Sequence, residues 1–170
     1  KKCGVYLGIS TNDYASLLAR NGVASVPVTS NSSAIAAARI AYHLNLKGPA
    51  IAVDTACSSA LVAIHLACQA ISRGEVDCAL AGGVSLWLAP ESYVVMSQAG
   101  MFSPTGQCRT FDDGADGIVN GDGVGAVVLK RLSDALAAND RILAVIRGSA
   151  VNQDGRSNGL TVPNGPAQQA

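Results

Sequence analysis

Nowhere in these 170 residues do apolar side chains run on for the roughly 18–20 positions that a bilayer-spanning helix requires, so the sequence predicts no membrane segment. The opening Lys1-Lys2-Cys3-Gly4-Val5 lacks the apolar stretch of a secretory signal, and no initiator methionine is present. Charge is scarce as well. Only 14% of residues are charged, and 12 basic residues against 12 acidic ones leave no net charge. That balance offers no electrostatic footprint for nucleic acid or for an anionic membrane. The adjacent basic pairs, Lys1-Lys2 and Lys130-Arg131, read as solvated ends of elements. Five cysteines (Cys3, Cys57, Cys68, Cys78 and Cys108) form no C-x-x-C pair. Their odd number and irregular spacing argue against a zinc site and against a disulfide framework. Reduced thiols in a cytoplasm are the simpler account, with most of the five expected to be small buried hydrophobes.

What is present is 49% hydrophobic residues, rich in alanine, with 18 glycines and only 4% aromatics. Small side chains allow close approach of backbones, which suits tightly layered α/β packing. Val5-Tyr6-Leu7-Gly8-Ile9 reads as a buried strand, and Thr11-Asn12-Asp13 supplies capping chemistry for a following helix. Residues 30–33 offer a second set of caps, before Ile35, Ala38, Arg39, Tyr42 and Leu46 at near-helical spacing. Ala50-Ile51-Ala52-Val53 is a short apolar strand, and Asp54-Thr55-Ala56-Cys57 turns into a long helix ending at Arg73-Gly74. Residues 78–84 and 125–129 read as strands, 100–116 as a long structured loop, Ser133-Asp134 as caps of a short helix, and 142–146 as a last strand. Strands that alternate with helices and are continuously apolar predict a mostly parallel sheet covered on both faces. The closing Pro163-Asn164-Gly165-Pro166-Ala167-Gln168-Gln169-Ala170 predicts a turn and a helix start that the sequence does not complete, hence a partial domain.

Cys57 is the candidate nucleophile. A residue at a helix N-terminus feels the positive end of the dipole and several unpaired N–H groups, which favour thiolate and can receive an oxyanion. Ala56, Ser58, Ser59 and Ala60 are small and leave the sulfur approachable. The bland alternative is an inert cysteine buried in a core helix. Cys68 falls with Leu61, Ile64 and Ile71 on a stripe expected to be core, Cys78 sits in a strand, and nothing near Cys3 or Cys108 suggests activation. His65 lies eight residues past Cys57, roughly 12 Å along one helix axis and out of hydrogen-bond reach. His43, at the end of the preceding helix, is a favourable C-terminal cation.

Residues 53–63, Val53-Asp54-Thr55-Ala56-Cys57-Ser58-Ser59-Ala60-Leu61-Val62-Ala63, resemble the active-site signature of β-ketoacyl synthases. Residues 100–112 resemble that family's long loop, and Ala115-Asp116-Gly117 with residues 121–132 resemble the strand leaving it. Residues 148–155, 158–161 and 163–166 are similar to type I modular polyketide synthases in particular. The pattern departs mildly: Ala60 stands where the family commonly has Ser, and the family commonly has Arg and Glu near Asn120 and Asp122.

The resemblance covers essentially the whole chain. It implies a thiolase-like α/β fold of two related halves, each a five-stranded sheet between helices. Residues 1–170 would be a partial synthase domain, supplying most of the first half and the start of the second. It implies decarboxylative Claisen condensation in polyketide chain elongation, with Cys57 taking an acyl chain from an acyl carrier protein and a malonyl-type thioester as extender. Phosphopantetheine arrives on the carrier protein, and no metal or directly bound cofactor is implied. The full-length protein is expected to be a homodimer. The family's two catalytic histidines lie in motifs downstream of Ala170, so no residue of this chain takes their roles and the chain by itself is expected to be inactive. A rival of another class is a non-catalytic condensing-like scaffold that binds carrier protein. An exposed activated thiol has no use there. The loop around residues 152–158 argues against a thiolase or chalcone-type enzyme, and residues 54–58 lack the G-x-S-x-G elbow of α/β-hydrolases.

Overall fold

The computed structural model describes residues 2–23 and 27–169. They divide into two compact units, Lys1–Lys130 and Arg131–Ala170. In the first unit a four-stranded sheet has the order β2-β1-β3-β4, with β1 Cys3–Gly8, β2 Ala50–Val53, β3 Cys78–Ser85 and β4 Gly123–Lys130. β1 pairs in parallel with both β2 and β3, while β4 runs antiparallel to β3. All of β1 except Leu7 is buried, as expected of a central strand with neighbours on both sides.

Five helices join these strands: α1 Asp13–Arg20, α2 Val28–Asn31, α3 Ser33–His43, α4 Ser59–Ser72 and α5 Pro90–Gln98. Asn12 caps α1, its side chain accepting the Ala15 N–H at 3.3 Å. The chain moves one way along the sheet from β1 to β2 and the other way from β2 to β3. Right-handed crossovers in opposite directions place α3 and α4 on opposite faces. Val5, on the face away from Tyr6, is fully buried, in keeping with cover on both sides of β1. Cover fails at β4, where Val124 and Val128 are exposed.

The core between α4 and the sheet joins Tyr6, Ala79 and Ala81 to Ala63, Ala67, Ala70 and Ile71 of the helix, with Val53, Ile64 and Leu129 at its margin. This corrects the expected helix stripe in part. Ile71 is buried as expected, whereas Leu61 is 72% exposed, Ile64 and Cys68 are half-buried, and the other buried hydrophobic residues of the helix are alanines. At the start of the helix the reason lies in glycines of the sheet, which lie against Ala60. A Cβ on Gly8 would stand 2.5 Å from the Ala60 nitrogen, and one on Gly83 would stand 2.9 Å from the Ala60 Cβ. Helix and strands approach so closely that larger side chains must turn away. The C-terminus of α4 is as read from Arg73-Gly74. Gly74 has φ +70°, its N–H reaches the Ile71 carbonyl at 3.1 Å, and the Glu75 N–H reaches that of Ala70 at 2.9 Å, the paired bonds of a Schellman motif.

Burial of the cysteines is also less than expected. Cys3 is buried, Cys68 and Cys78 are half-buried, and Cys57 and Cys108 are exposed. α5 occupies a stretch where no element had been expected; Pro90 in its first turn and Glu91 beside it are ordinary helix-start chemistry.

The second unit holds α6 Leu132–Ala137 and α7 Gly165–Gln169. Arg131 stands at the N-cap of α6, so Ser133 and Asp134 lie inside its first turn rather than before it. Asn164 caps α7 by accepting the Ala167 N–H at 3.3 Å, and its own amide donates to the Asp154 carbonyl at 3.0 Å. The strand expected at 142–146 does not form. A strand exists only through a ladder with a neighbour, and among the described residues none pairs with this segment, whose Leu143 is 84% exposed.

Candidate active site

Between the end of β2 at Val53 and the start of α4 at Ser59, the chain makes a tight elbow that carries Cys57. Ala56 takes the left-handed conformation, φ +54°, which costs an L-residue about 1–2 kcal/mol and persists only where its surroundings demand it. Here they do. The Asp54 carboxylate accepts the Ala56 N–H at 3.0 Å, and the Ser58 hydroxyl donates to the Thr55 carbonyl at 2.8 Å. The hub is Ser59, 5% exposed. Its Oγ accepts the Thr55 N–H at 2.9 Å, donates to the Ala56 carbonyl at 2.6 Å and lies 3.0 Å from the Ser10 hydroxyl, which itself reaches the Ala56 carbonyl at 3.2 Å. Ser10, just past β1, thereby ties the elbow to the central strand.

Cys57 is held exposed at the outer corner, one residue ahead of the N-cap Ser58 rather than within the first helical turn. The N–H groups of Ser58 and Ser59 are engaged by the Thr55 and Ala56 carbonyls at 3.3 and 3.1 Å, so those two are not idle donors. The sulfur opens on a cavity of about 510 Å³, a volume typical of small-molecule sites. Its lining is Gly8, Ser10, Thr11, Ala56, Cys57, Ser59, Ala60, Gly83, Val84, Ser85, Trp87, Met96, Gly123 and Gly125. Apart from the thiol, no ionisable side chain among the described residues lines it. Neither His43 nor His65 does, and for His65 this agrees with the distance argument from sequence.

The other cysteines have different surroundings. Burial, reinforced by the neighbouring Cys78 thiol, pushes Cys3 up to about 11, and burial raises Cys68 as well. In the loop of residues 100–116, a bridge between Phe102 and Ile118 closes the base, and Arg109 pairs with Asp116 at 3.2 Å. The Ser103 hydroxyl, and then Arg109, hold the Asp116 carboxyl below its ordinary value. Sequence reasoning placed Cys57 but passed over Ser10, Ser59 as a hub, Trp87 and Met96. Only the run of hydroxyl residues Ser58-Ser59 after the turn hinted at a capping role.

Residues 1–135 match the family model described as the β-ketoacyl synthase N-terminal domain. The chain is 60% identical over 168 residues to polyketide synthase PksL of Bacillus subtilis, covering 99% of this chain and 4% of that protein. It is 54% identical over 169 residues to a phenolphthiocerol/phthiocerol polyketide synthase of Mycobacterium tuberculosis, covering 98% of this chain and 11% of that one. Among solved structures, it superposes on the ketosynthase from module 6 of the bacillaene synthase of Bacillus subtilis 168 with TM-score 0.90 and 58% identity, over 99% of this chain and 29% of that one. The oxazolomycin ketosynthase domain OzmH KS7 of Streptomyces albus JA3453 gives TM-score 0.90 and 43% identity, over 98% and 30%. The mixed, mostly parallel sheet with its helices is thus the N-terminal part of a thiolase-like α/β fold.

Proposed function

The chain belongs to the β-ketoacyl synthase family, and from that premise we propose that Cys57 is the acyl acceptor of a condensing domain in polyketide chain elongation. The observation that carries this reading is the exposed sulfur of Cys57, presented by a strained, hydrogen-bonded elbow at the head of α4 and opening on an uncharged cavity. In the first step Cys57 gives up its proton and its thiolate attacks the carbonyl of an acyl thioester, and the phosphopantetheine sulfur of the acyl carrier protein leaves as a thiol by taking up that proton. A malonyl-type thioester then loses CO₂, and the electron pair left on its α-carbon attacks the Cys57 acyl carbonyl. A carbon–carbon bond forms, the bond to sulfur breaks, and the β-ketoacyl chain stays on the carrier. Nucleophilic catalysis of this kind divides one difficult step into two easier ones.

This chain's residues hold and present the nucleophile. Assisting the decarboxylation and polarising the carbonyl fall to the histidines that the family resemblance assigns to motifs downstream of Ala170. The chain spans 29% of the bacillaene ketosynthase it superposes on, and the exposure of Leu61, Val124 and Val128 fits faces covered by the remainder of such a domain. On this reading residues 1–170 by themselves yield no condensation product. The deciding experiment is intact-mass analysis of the full-length protein after exposure to an acyl thioester. One acyl group is expected on Cys57, lost in Cys57→Ala and kept in Cys108→Ala. Undiminished acylation of Cys57→Ala would refute the assignment.

A further inference from the structure

We propose that Trp87 and Met96 form a size-limiting wall of the cavity at Cys57, and that this wall favours a slender acyl chain. The inference rests on the reading of Cys57 as acyl acceptor and concerns what that acyl group is.

Among the described residues that line the cavity, all but these two are small or no larger than valine. Its floor is laid by glycines of three strands, Gly8 of β1, Gly83 of β3, and Gly123 and Gly125 of β4, with Ala60 of α4 above them. Bulk therefore enters at two places, and both are braced. The Trp87 backbone N–H donates to the Asp122 carboxylate at 2.8 Å, across 35 residues of chain. The indole packs on Tyr93 with ring centroids 5.3 Å apart, and Tyr93 packs on Phe102 at 5.7 Å. That row of rings runs back to the Phe102–Ile118 bridge and prevents the indole from simply swinging aside. Met96, on α5, has its thioether 3.8 Å from the Asn120 side-chain amide, a weak bond that biases an otherwise flexible side chain toward one position. Asn120 is thus a positioning residue for Met96.

The test uses full-length protein and two N-acetylcysteamine thioesters, hexanoyl and cyclohexylacetyl. Initial rates of acylation at Cys57 are read by peptide mass analysis. The wild type is expected to take hexanoyl and to be slow with the ring-bearing chain. Met96→Ala should raise the cyclohexylacetyl-to-hexanoyl ratio by about tenfold or more, on the scale of removing side-chain carbons from a substrate pocket. Trp87→Phe should move the same ratio in the same direction. Each ratio is internal to one sample, so partial unfolding lowers both rates and leaves it unchanged. Ratios that stay at the wild-type value in both variants, with Cys57 still acylated, would overturn the wall assignment alone. Absence of any acyl group on wild-type Cys57 would overturn the underlying reading of the nucleophile.

Discussion

Gly8→Ala should cripple the site without touching any reacting atom. Gly8 ends the central strand directly beneath the N-terminus of α4. A methyl group there would meet the Ala60 nitrogen at 2.5 Å, the Ser59 carbonyl carbon at 2.6 Å and the Ala60 Cα at 2.9 Å. All three are backbone atoms, so no rotamer change relieves the clash, and α4 must withdraw by roughly 1 Å to restore ordinary contact distances near 3.5 Å. Overpacking of this kind costs about 1–3 kcal/mol, a sizeable part of the 5–15 kcal/mol that holds a domain folded. The functional loss should be larger than the stability loss. The shift acts on Ser59, the residue that holds the elbow, and a misplacement of about 1 Å can cost 10²-fold in rate. The assay is thermal unfolding beside the rate of Cys57 acylation in full-length protein. Gly121→Ala is the control, because a Cβ there meets nothing within 4 Å. A Gly8→Ala protein that unfolds and acylates like the wild type would show that α4 does not lie so close against β1.

Ser59→Ala removes the hub of the elbow and strands the Thr55 N–H, which should cost about 1–3 kcal/mol in denaturant unfolding and slow acylation at Cys57; Ser58→Ala, whose hydroxyl is exposed, should cost less. In brief treatment with iodoacetamide at neutral pH, peptide mapping should find Cys57 and Cys108 modified before Cys3 and Cys68, since the first two are exposed and burial raises the other two. Modification of Cys3 first would contradict the buried strand. Stability should also fall in alkali. The unfolded Cys3 thiol loses its proton near 9 and the folded one only near 11, so the folded state is favoured fully below pH 9 and loses about 2–3 kcal/mol as pH rises through 11. Cys3→Ala should lack that part of the decline in urea titrations at pH 8, 9.5 and 11.

Much of this molecule is legible in short windows of sequence. β2 is the four apolar residues Ala50–Val53, α4 ends where Arg73-Gly74 says it should, and Cys57 stands at the junction of the two. Each rests on a local cause: an apolar run, a residue free to take positive φ, a turn between strand and helix. The family signature around Cys57 is equally local. Other features are not. The residues that hold the elbow include Ser10, which is 49 positions from Ser59 in sequence, and the wall of the cavity depends on Asp122 reaching back to Trp87.

Where local and tertiary demands competed, the tertiary ones prevailed. The helical period of α4 admits either a stripe through Leu61, Ile64, Cys68 and Ile71 or one through Ala63, Ala67 and Ala70 as its buried face, and packing on Tyr6, Ala79 and Ala81 buries the alanines together with Ile71. At the head of the helix the glycines of β1 and β3 lie against Ala60, where only a side chain without reach fits between backbones that close. The apolar segment at 142–146 has a strand's composition and no strand's structure, since a ladder needs a second chain segment that composition cannot supply. Short-range pattern is enough to say which residues are apolar, where the backbone can turn, and that a cysteine stands at a strand–helix junction. Which helix face is buried, what strains Ala56, and which distant side chains surround the sulfur follow from packing, because they depend on contacts between segments whose separation along the chain carries no information about their distance in space.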